Sequence, residues 1–204
     1  MIFDPDTVQA TRIKEDADYE GVRVRFIGHL GKARVAMQID VGFGDVVTPD
    51  AQSIVYPTRL DFPYAELLGY PRETVVAEKF SAMVYLGTTN SRMKDFYDVW
   101  LLASEFAFDG SVLSNATNAT FAHRSTPVDR APIAFTTAFL DQPSTSAQWR
   151  ALRTRLLPAR CPETLVEVVD TLRAFLSPIA RTRGPIGVQS SLDAGRALGR
   201  TIAR

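Results

Sequence analysis

The chain has 204 residues, 46% of them apolar, which is enough to bury a core in one domain or in one domain with an appendage. Its apolar runs are short and Met1-Ile2-Phe3-Asp4 has no leader character, so we expect no membrane span, no secretory signal and a cytoplasmic protein. The single cysteine, Cys161, excludes an internal disulfide and a cysteine-based metal cluster, and two histidines argue against a histidine-rich zinc site.

The net charge of zero conceals an uneven distribution of charge along the chain. Residues 1–120 carry 11 basic and 17 acidic side chains, a balance of −6, whereas residues 121–204 carry 12 arginines and 6 acids, a balance of +6. Acidic side chains near a site favour a divalent metal. An arginine-rich half fits either a phosphate backbone or a solvated helical surface.

The first third of the chain predicts β-structure. Residues 4–20 are polar and turn-rich, and residues 21–27 and 35–41 then alternate between apolar and polar side chains. The turn Leu30-Gly31-Lys32 between these two runs predicts an antiparallel hairpin. Residues 53–59 predict a third strand, which Pro57 places at a sheet edge or a strand end.

From Pro71 onward the pattern of apolar residues is helical. Strands followed by helices predict an α+β fold, with a sheet region at 1–70, a helical region at 71–178 and a tail at 179–204 that is flexible or forms a weak terminal helix. The second helix has Asn90 or Ser91 as its predicted cap. Five helices are predicted, at about residues 71–87, 90–106, 110–123, 144–156 and 162–176.

Two ionisable side chains fall on the apolar faces of the first two helices. At about 100° per residue, Lys79 falls between Val75 and Val76, and Asp95 falls within the apolar arc of the second helix. Because an unpaired buried charge costs several kcal/mol, we expect these side chains to contact each other, a metal or a ligand. There are two alternatives. In the first, the two side chains form a salt bridge that only fixes the register of the helices. In the second, Lys79 buries its methylene groups and extends its ammonium into water.

The scarcity of lysine favours a functional role slightly. The chain has 19 arginines but only four lysines, and Lys79 and Lys94 both lie in this helix pair. A compact ammonium suits a confined phosphate or carboxylate better than a guanidinium does.

Asp40 is the third candidate. It lies between Ile39 and Val41, near the end of a strand that the pattern places centrally in the sheet. A carboxylate there suits a metal ligand or a base at the edge of an α/β sheet. The alternative is an aspartate bound to the backbone or to a neighbouring arginine. Asp45, in the following loop, is interpreted as a turn residue.

Four sequence runs, taken in order, resemble the AbiEii/AbiGii-type nucleotidyltransferase toxins, abortive-infection enzymes of the polymerase-β-like nucleotidyltransferase superfamily. The resemblance extends over about residues 1–178 and leaves Arg181 onward unmatched. The runs are Met37-Gln38-Ile39-Asp40-Val41-Gly42-Phe43-Gly44-Asp45, Tyr56-Pro57-Thr58, Val75-Val76-Ala77-Glu78-Lys79-Phe80 and Arg92-Met93-Lys94-Asp95-Phe96-Tyr97-Asp98-Val99-Trp100-Leu101-Leu102.

The resemblance implies transfer of a nucleotide from a nucleoside triphosphate to an acceptor, with Mg²⁺. It implies that Asp40 is a catalytic carboxylate and metal ligand, that Lys79 holds nucleotide phosphates, and that Asp95 orients this lysine or the accepting group. Lys94 and Asp98 would lie at the edge of the nucleotide site. Two partners are expected, an RNA acceptor and a cognate antitoxin. A tRNA is one candidate for the acceptor, and the arginine-rich helices after residue 121 would bind it.

The chain departs from the family in one respect. Members carry a Gly-Gly/Ser turn followed by an Asp-x-Asp strand that holds two metal ions, and no such motif occurs in these 204 residues. Asp4-Pro5-Asp6 and Asp16-Ala17-Asp18 have the spacing without the glycine turn, and Pro5 favours a turn over a strand.

We therefore expect an internal start or a gene fragment, with an incomplete two-metal site. An open sheet edge, an exposed apolar face and marginal stability or association would follow. Two other functions remain open: a catalytically inactive remnant that binds nucleotide, RNA or a protein partner, and a helical interaction domain in which Lys79 and Asp95 form a structural bridge.

Overall fold

The computed structural model describes residues 1–16, 19–127, 129, 131–156 and 161–181. Strands precede helices along the chain, which confirms the predicted α+β fold. The strands are β1 (Ile2–Asp16), β2 (Tyr19–Leu30), β3 (Ala33–Gly42), β4 (Gln52–Tyr56) and β5 (Ala65–Gly69). The helices are α1 (Arg72–Leu86), α2 (Met93–Glu105), α3 (Gly110–His123), α4 (Thr137–Leu140), α5 (Pro143–Arg153) and α6 (Leu165–Arg181). None of the described helices is both long and apolar enough to cross a bilayer.

The first three strands form an antiparallel sheet in the order β1-β2-β3. The predicted hairpin is confirmed as β2 and β3, joined by a two-residue turn in which Gly31 adopts a φ of +59°. The prediction of turns over residues 4–20 is wrong, because β1 fills most of this segment. Pro5 is tolerated there because β1 is an edge strand and residues 5–8 bulge opposite Phe26 alone.

The predicted third strand forms, but in a different sheet. It appears as β4, which ends just before Pro57 and pairs with β5, a strand that the sequence pattern did not predict. The loop after β3 leads the chain away to the start of α1, where the Thr74 hydroxyl accepts from Thr48 N at 3.0 Å and donates to Thr48 O at 2.7 Å. These two hydrogen bonds hold the loop that precedes β4 against the start of α1.

The hydrophobic core lies entirely within the helical part. Aromatic side chains dominate it, with ring centroids 5.3 Å apart for Phe80 and Phe121 and 5.7 Å apart for Phe96 and Phe139. Every member of the buried apolar cluster lies between residues 76 and 179. The described strands instead leave apolar side chains exposed, such as Ile39 on β3, and both outer edges of the three-stranded sheet lack a strand partner among the described residues. The expected open edge and apolar sheet face are therefore present.

The start of α2 differs from its prediction. The N-cap of α2 is Arg92, and Asn90 instead accepts a hydrogen bond from Arg92 N through Oδ1 at 2.8 Å. Phe106, the last residue of the predicted helix, lies beyond its end and is exposed.

The last helix is longer than predicted. It continues through Pro178 to Arg181, because burial of Ile179 and Ala180 outweighs the backbone hydrogen bond that the proline removes. The remainder of the predicted tail, residues 182–204, lies outside the described residues.

Candidate functional site

The contact between α1 and α2 places three ionisable side chains together. Lys79, midway along α1, directs its Nζ to Asp95 Oδ1 at 2.6 Å and to Asp98 Oδ2 at 2.9 Å, both in the first half of α2. The side chains of Lys79, Asp95 and Asp98 are 20%, 16% and 21% exposed. The prediction that Lys79 and Asp95 meet is confirmed, and Asp98 completes the group, which we call the Lys79 cluster.

The Lys79 ammonium is charged in this environment. Burial by itself would lower its pKa, but hydrogen bonds to Asp95 and Asp98 more than compensate, and the pKa of Lys79 is raised. An ammonium has three donors, and two of these are directed to the carboxylates. The Lys79 ammonium is therefore a fixed positive charge held by two carboxylates, and the cluster as a whole carries one more negative than positive formal charge.

Lys94 adds a second cation at the rim of the cluster. The Nζ of Lys94 lies 2.6 Å from Oδ2 of Asp98, which is one helical turn further along α2. The Lys94 side chain is 71% exposed. Asp98 thus accepts from both lysines, while Asp95 accepts from Lys79. The structure thus brings together Lys79, Lys94 and Asp98, which were predicted to bind nucleotide, and Asp95, which was predicted to be catalytic.

Asp40 lies in a different setting. It is on β3, an edge strand, and the expectation of a central strand is wrong because β1 and β3 flank β2. Arg23 holds its carboxylate in a bidentate pair with two distances of 2.8 Å, and Gln38 donates at 3.2 Å. The hydrogen bond from Arg23 is the main reason that the pKa of Asp40 is lowered. These partners do not include Lys79, so the structure does not bring Asp40 into contact with the Lys79 cluster.

A second polar group beside the Lys79 cluster was not predicted. Glu78 forms an ion pair with Arg124 at the end of α3, and burial raises the pKa of the Glu78 carboxyl although Arg124 opposes this shift. Nearby, Tyr70 OH donates to Asp45 Oδ2 at 2.6 Å, which raises the pKa of Tyr70 to about 12. Asp45, interpreted as a turn residue, therefore helps to hold the loop after β3 near α1.

Local sequence spacing does not mark the pair of Glu78 and Arg124. Glu78 and Arg124 are 46 positions apart, and the adjacency of Glu78 to Lys79 is the one local signal that marks either residue.

The described residues do not by themselves form a two-metal site. No group of three or more histidine, cysteine, aspartate or glutamate side chains among them is placed to hold a metal ion. Asp40, the predicted ligand, is paired with Arg23 and lies in the field of Arg25, and both cations repel a metal ion.

Comparison with known proteins identifies the family. Neither the curated proteins nor the solved structures include a match to the chain. The family model described as "Nucleotidyl transferase AbiEii toxin, Type IV TA system" matches residues 2–175, which is 174 of the 204 residues. The match includes β3, α1 and α2, and with them every residue of the Lys79 cluster. The chain therefore belongs to the AbiEii nucleotidyl transferase toxin family of type IV toxin–antitoxin systems.

Proposed function

We propose that this chain binds a nucleoside triphosphate at the Lys79 cluster and takes part in transferring its nucleotide to an RNA acceptor. The observation that carries this proposal is the partly exposed Lys79 side chain, whose ammonium is fixed between two carboxylates at 2.6 and 2.9 Å. A positioned cation of this kind suits a phosphoryl-transfer site, where catalysis rests largely on orientation and on charge stabilisation.

Each residue of the cluster has a distinct proposed role. Lys79 contacts the phosphates of the nucleotide, and Asp95 orients its ammonium. Asp98 shares its carboxylate between Lys79 and Lys94. Lys94, with its exposed side chain, turns toward an arriving triphosphate and adds a second positive charge.

Mg²⁺ and the acceptor are further parts of the proposal. The family reaction leads us to propose Mg²⁺ as the cofactor, and Asp40 would act as one of its ligands and as a catalytic carboxylate only after leaving its pair with Arg23. RNA, with tRNA as one candidate, is the proposed acceptor. A cognate antitoxin is the proposed biological partner, in keeping with the family's place in toxin–antitoxin systems.

Nucleotide binding is the direct test. Titration calorimetry with each of the four nucleoside triphosphates, with and without Mg²⁺, should show binding by the wild-type chain. Lys79→Ala should weaken it by roughly tenfold or more, because it removes a charge-assisted contact of about 1.5–3 kcal/mol. The matched control is Lys32→Ala, which removes an exposed lysine in the β2–β3 turn and should leave affinity unchanged. Absence of nucleotide binding by the wild-type chain would refute the proposal.

A second candidate function is binding without turnover. It is favoured by the pairing of Asp40 with Arg23, away from the Lys79 cluster. Incubation with α-labelled nucleoside triphosphates, Mg²⁺ and total cellular RNA separates the two candidates. Label transfer that Lys79→Ala abolishes supports the enzyme, whereas nucleotide binding without transfer to any RNA supports the non-catalytic binder.

A further inference from the structure

One face of the three-stranded sheet carries three arginines in a polar row that the apolar pair Ile27 and Ala36 interrupts. Cross-strand pairing places His29 opposite Arg34 and Arg25 opposite Gln38, with alternate residues of each strand on the same side. Arg25, His29, Arg34 and Gln38 are exposed, and Arg23 follows in the same row. We call these five residues the basic sheet face.

The opposite side of the same sheet has a different character. Val24, Phe26, Met37 and Ile39 alternate with the residues of the basic sheet face and give that side its apolar surface. Arg12 of β1, opposite Val22, is an exposed arginine on this apolar side. Arg23, Arg25 and Arg34, the arginines of β2 and β3, therefore all lie on one face. Arginines that only keep a sheet solvated would not have to share a face.

A cavity of about 630 Å³, within the size range of ligand pockets, opens beside Arg25 and Arg34 and is also lined by Phe26 and Met37. Arg25, Arg34, Gln9 and Gln38 line it, and Asp6 is the one acidic side chain among its lining residues. Guanidinium groups bind phosphate oxygens with two parallel hydrogen bonds, and glutamine amides both donate and accept. Gln38 already receives a hydrogen bond from Arg25 at 3.2 Å, which fixes the direction of that guanidinium.

We propose that the basic sheet face binds the phosphate backbone of the single-stranded RNA that accepts the nucleotide. This inference rests on the proposed function, because it locates the acceptor of that reaction. A row of guanidinium and amide groups along two strands matches the repeated phosphates of an extended strand. Asp40 ends the row beside Arg23, so RNA lying along the face passes the carboxylate that the family resemblance assigns to the reaction.

Fluorescence anisotropy with a labelled single-stranded RNA of about 12 nucleotides tests this placement between about 50 and 200 mM salt. The double variant Arg25→Gln/Arg34→Gln should bind roughly tenfold more weakly, and its slope of log affinity against log salt should fall by about 1.4. Arg12→Gln is the matched control on the opposite face, and Arg150→Gln removes an exposed arginine from the basic half. Both should leave RNA binding nearly unchanged.

Parallel titration with a nucleoside triphosphate separates this inference from the proposed function. The double variant should retain nucleotide binding, and Lys79→Ala should retain RNA binding. Loss of nucleotide binding in the double variant, with RNA binding intact, would mean that the face holds the triphosphate and would overturn the proposal. Three other results would also overturn the proposal. The first is no RNA binding by the wild-type protein, and the second is a loss of RNA binding in Arg12→Gln or Arg150→Gln as large as that in the double variant. The third is poly-glutamate binding to the wild-type protein as tightly as RNA does.

Discussion

Replacement of Lys79 by methionine tests the energetic role of the Lys79 cluster. Methionine keeps the length and apolar stem of the lysine but removes its charge. Asp95 then loses its cation, whereas Asp98 keeps the contact of 2.6 Å with Lys94. The predicted result is a lower free energy of unfolding, because a partly buried carboxylate is left without its partner.

The expected size of the loss follows from distance and exposure. At 2.6 Å and an effective dielectric constant near 20, the attraction between Lys79 and Asp95 is about 6 kcal/mol before desolvation is subtracted. Breaking a fully buried pair costs about 3–5 kcal/mol and breaking an exposed one about 0–1 kcal/mol. With side chains 16–21% exposed, we expect a loss of about 2 kcal/mol.

The same substitution predicts a pH dependence of known sign. The folded-state pKa of Lys79 is raised above its ordinary value of 10.5, so its stabilisation is fully present below that pH. It is lost as the pH rises through the folded-state pKa. The difference between wild type and Lys79→Met should therefore be constant from neutral pH to about pH 10 and shrink at higher pH.

Urea unfolding followed by tryptophan fluorescence measures this difference at each pH. Lys32→Met is the control, because this exposed lysine in the β2–β3 turn should change stability by less than about 0.5 kcal/mol. A loss below about 0.5 kcal/mol at neutral pH, or a difference that persists unchanged at the highest pH, would refute the electrostatic reasoning.

Three other substitutions test contacts that position the site. Thr74→Val should lower the free energy of unfolding by about 1–3 kcal/mol in urea, because both hydrogen bonds to Thr48 are lost. Gly87→Ala should cost about 1 kcal/mol, because φ is +50° and the added Cβ would lie 3.0 Å from Ile133 Cγ2. Asp109→Ala should lower the melting temperature at neutral pH, because the backbone amides of Ser111 and Val112 lose their acceptor. The pKa of the Asp109 carboxyl is lowered in the folded state, so the difference in melting temperature should disappear as the pH falls through that pKa.

Each of these three predictions has a matched control. Thr88→Val changes an exposed threonine and should be neutral. Gly110→Ala adds a Cβ in open space at the start of α3 and should not destabilise. Asp109→Asn retains a capping oxygen and should melt near the wild-type temperature. An effect in a control as large as in its partner would contradict the explanation for that contact.

Local sequence signals predicted the elements that depend on neighbouring residues. Alternation predicted β2 and β3, and the helical pattern of apolar residues predicted the extent of α1 and α3 to within a residue or two. The contact of Lys79 with Asp95 was also predictable, because a charge on an apolar helix face must find a partner and both helices are short and consecutive.

Long-range pairing was not predictable from local pattern. Whether β3 is central or at an edge depends on where β1 and β4 pair, and those choices are made by bulges and by attachments such as that between Thr48 and Thr74. The pairs Glu78–Arg124 and Asp45–Tyr70 join residues distant in the chain, so no periodicity marks them.

The sequence by itself determined the family, the order of strands and helices, and the charged residues worth examining. The motif residues and their spacing are properties of the chain, and a helical or alternating period is a local consequence of backbone geometry. Only the tertiary structure decided that Asp98 joins the Lys79 cluster and that Asp40 pairs with Arg23. It also decided that the arginines of β2 and β3 share one face, because strand register and helix docking are fixed by contacts between distant segments.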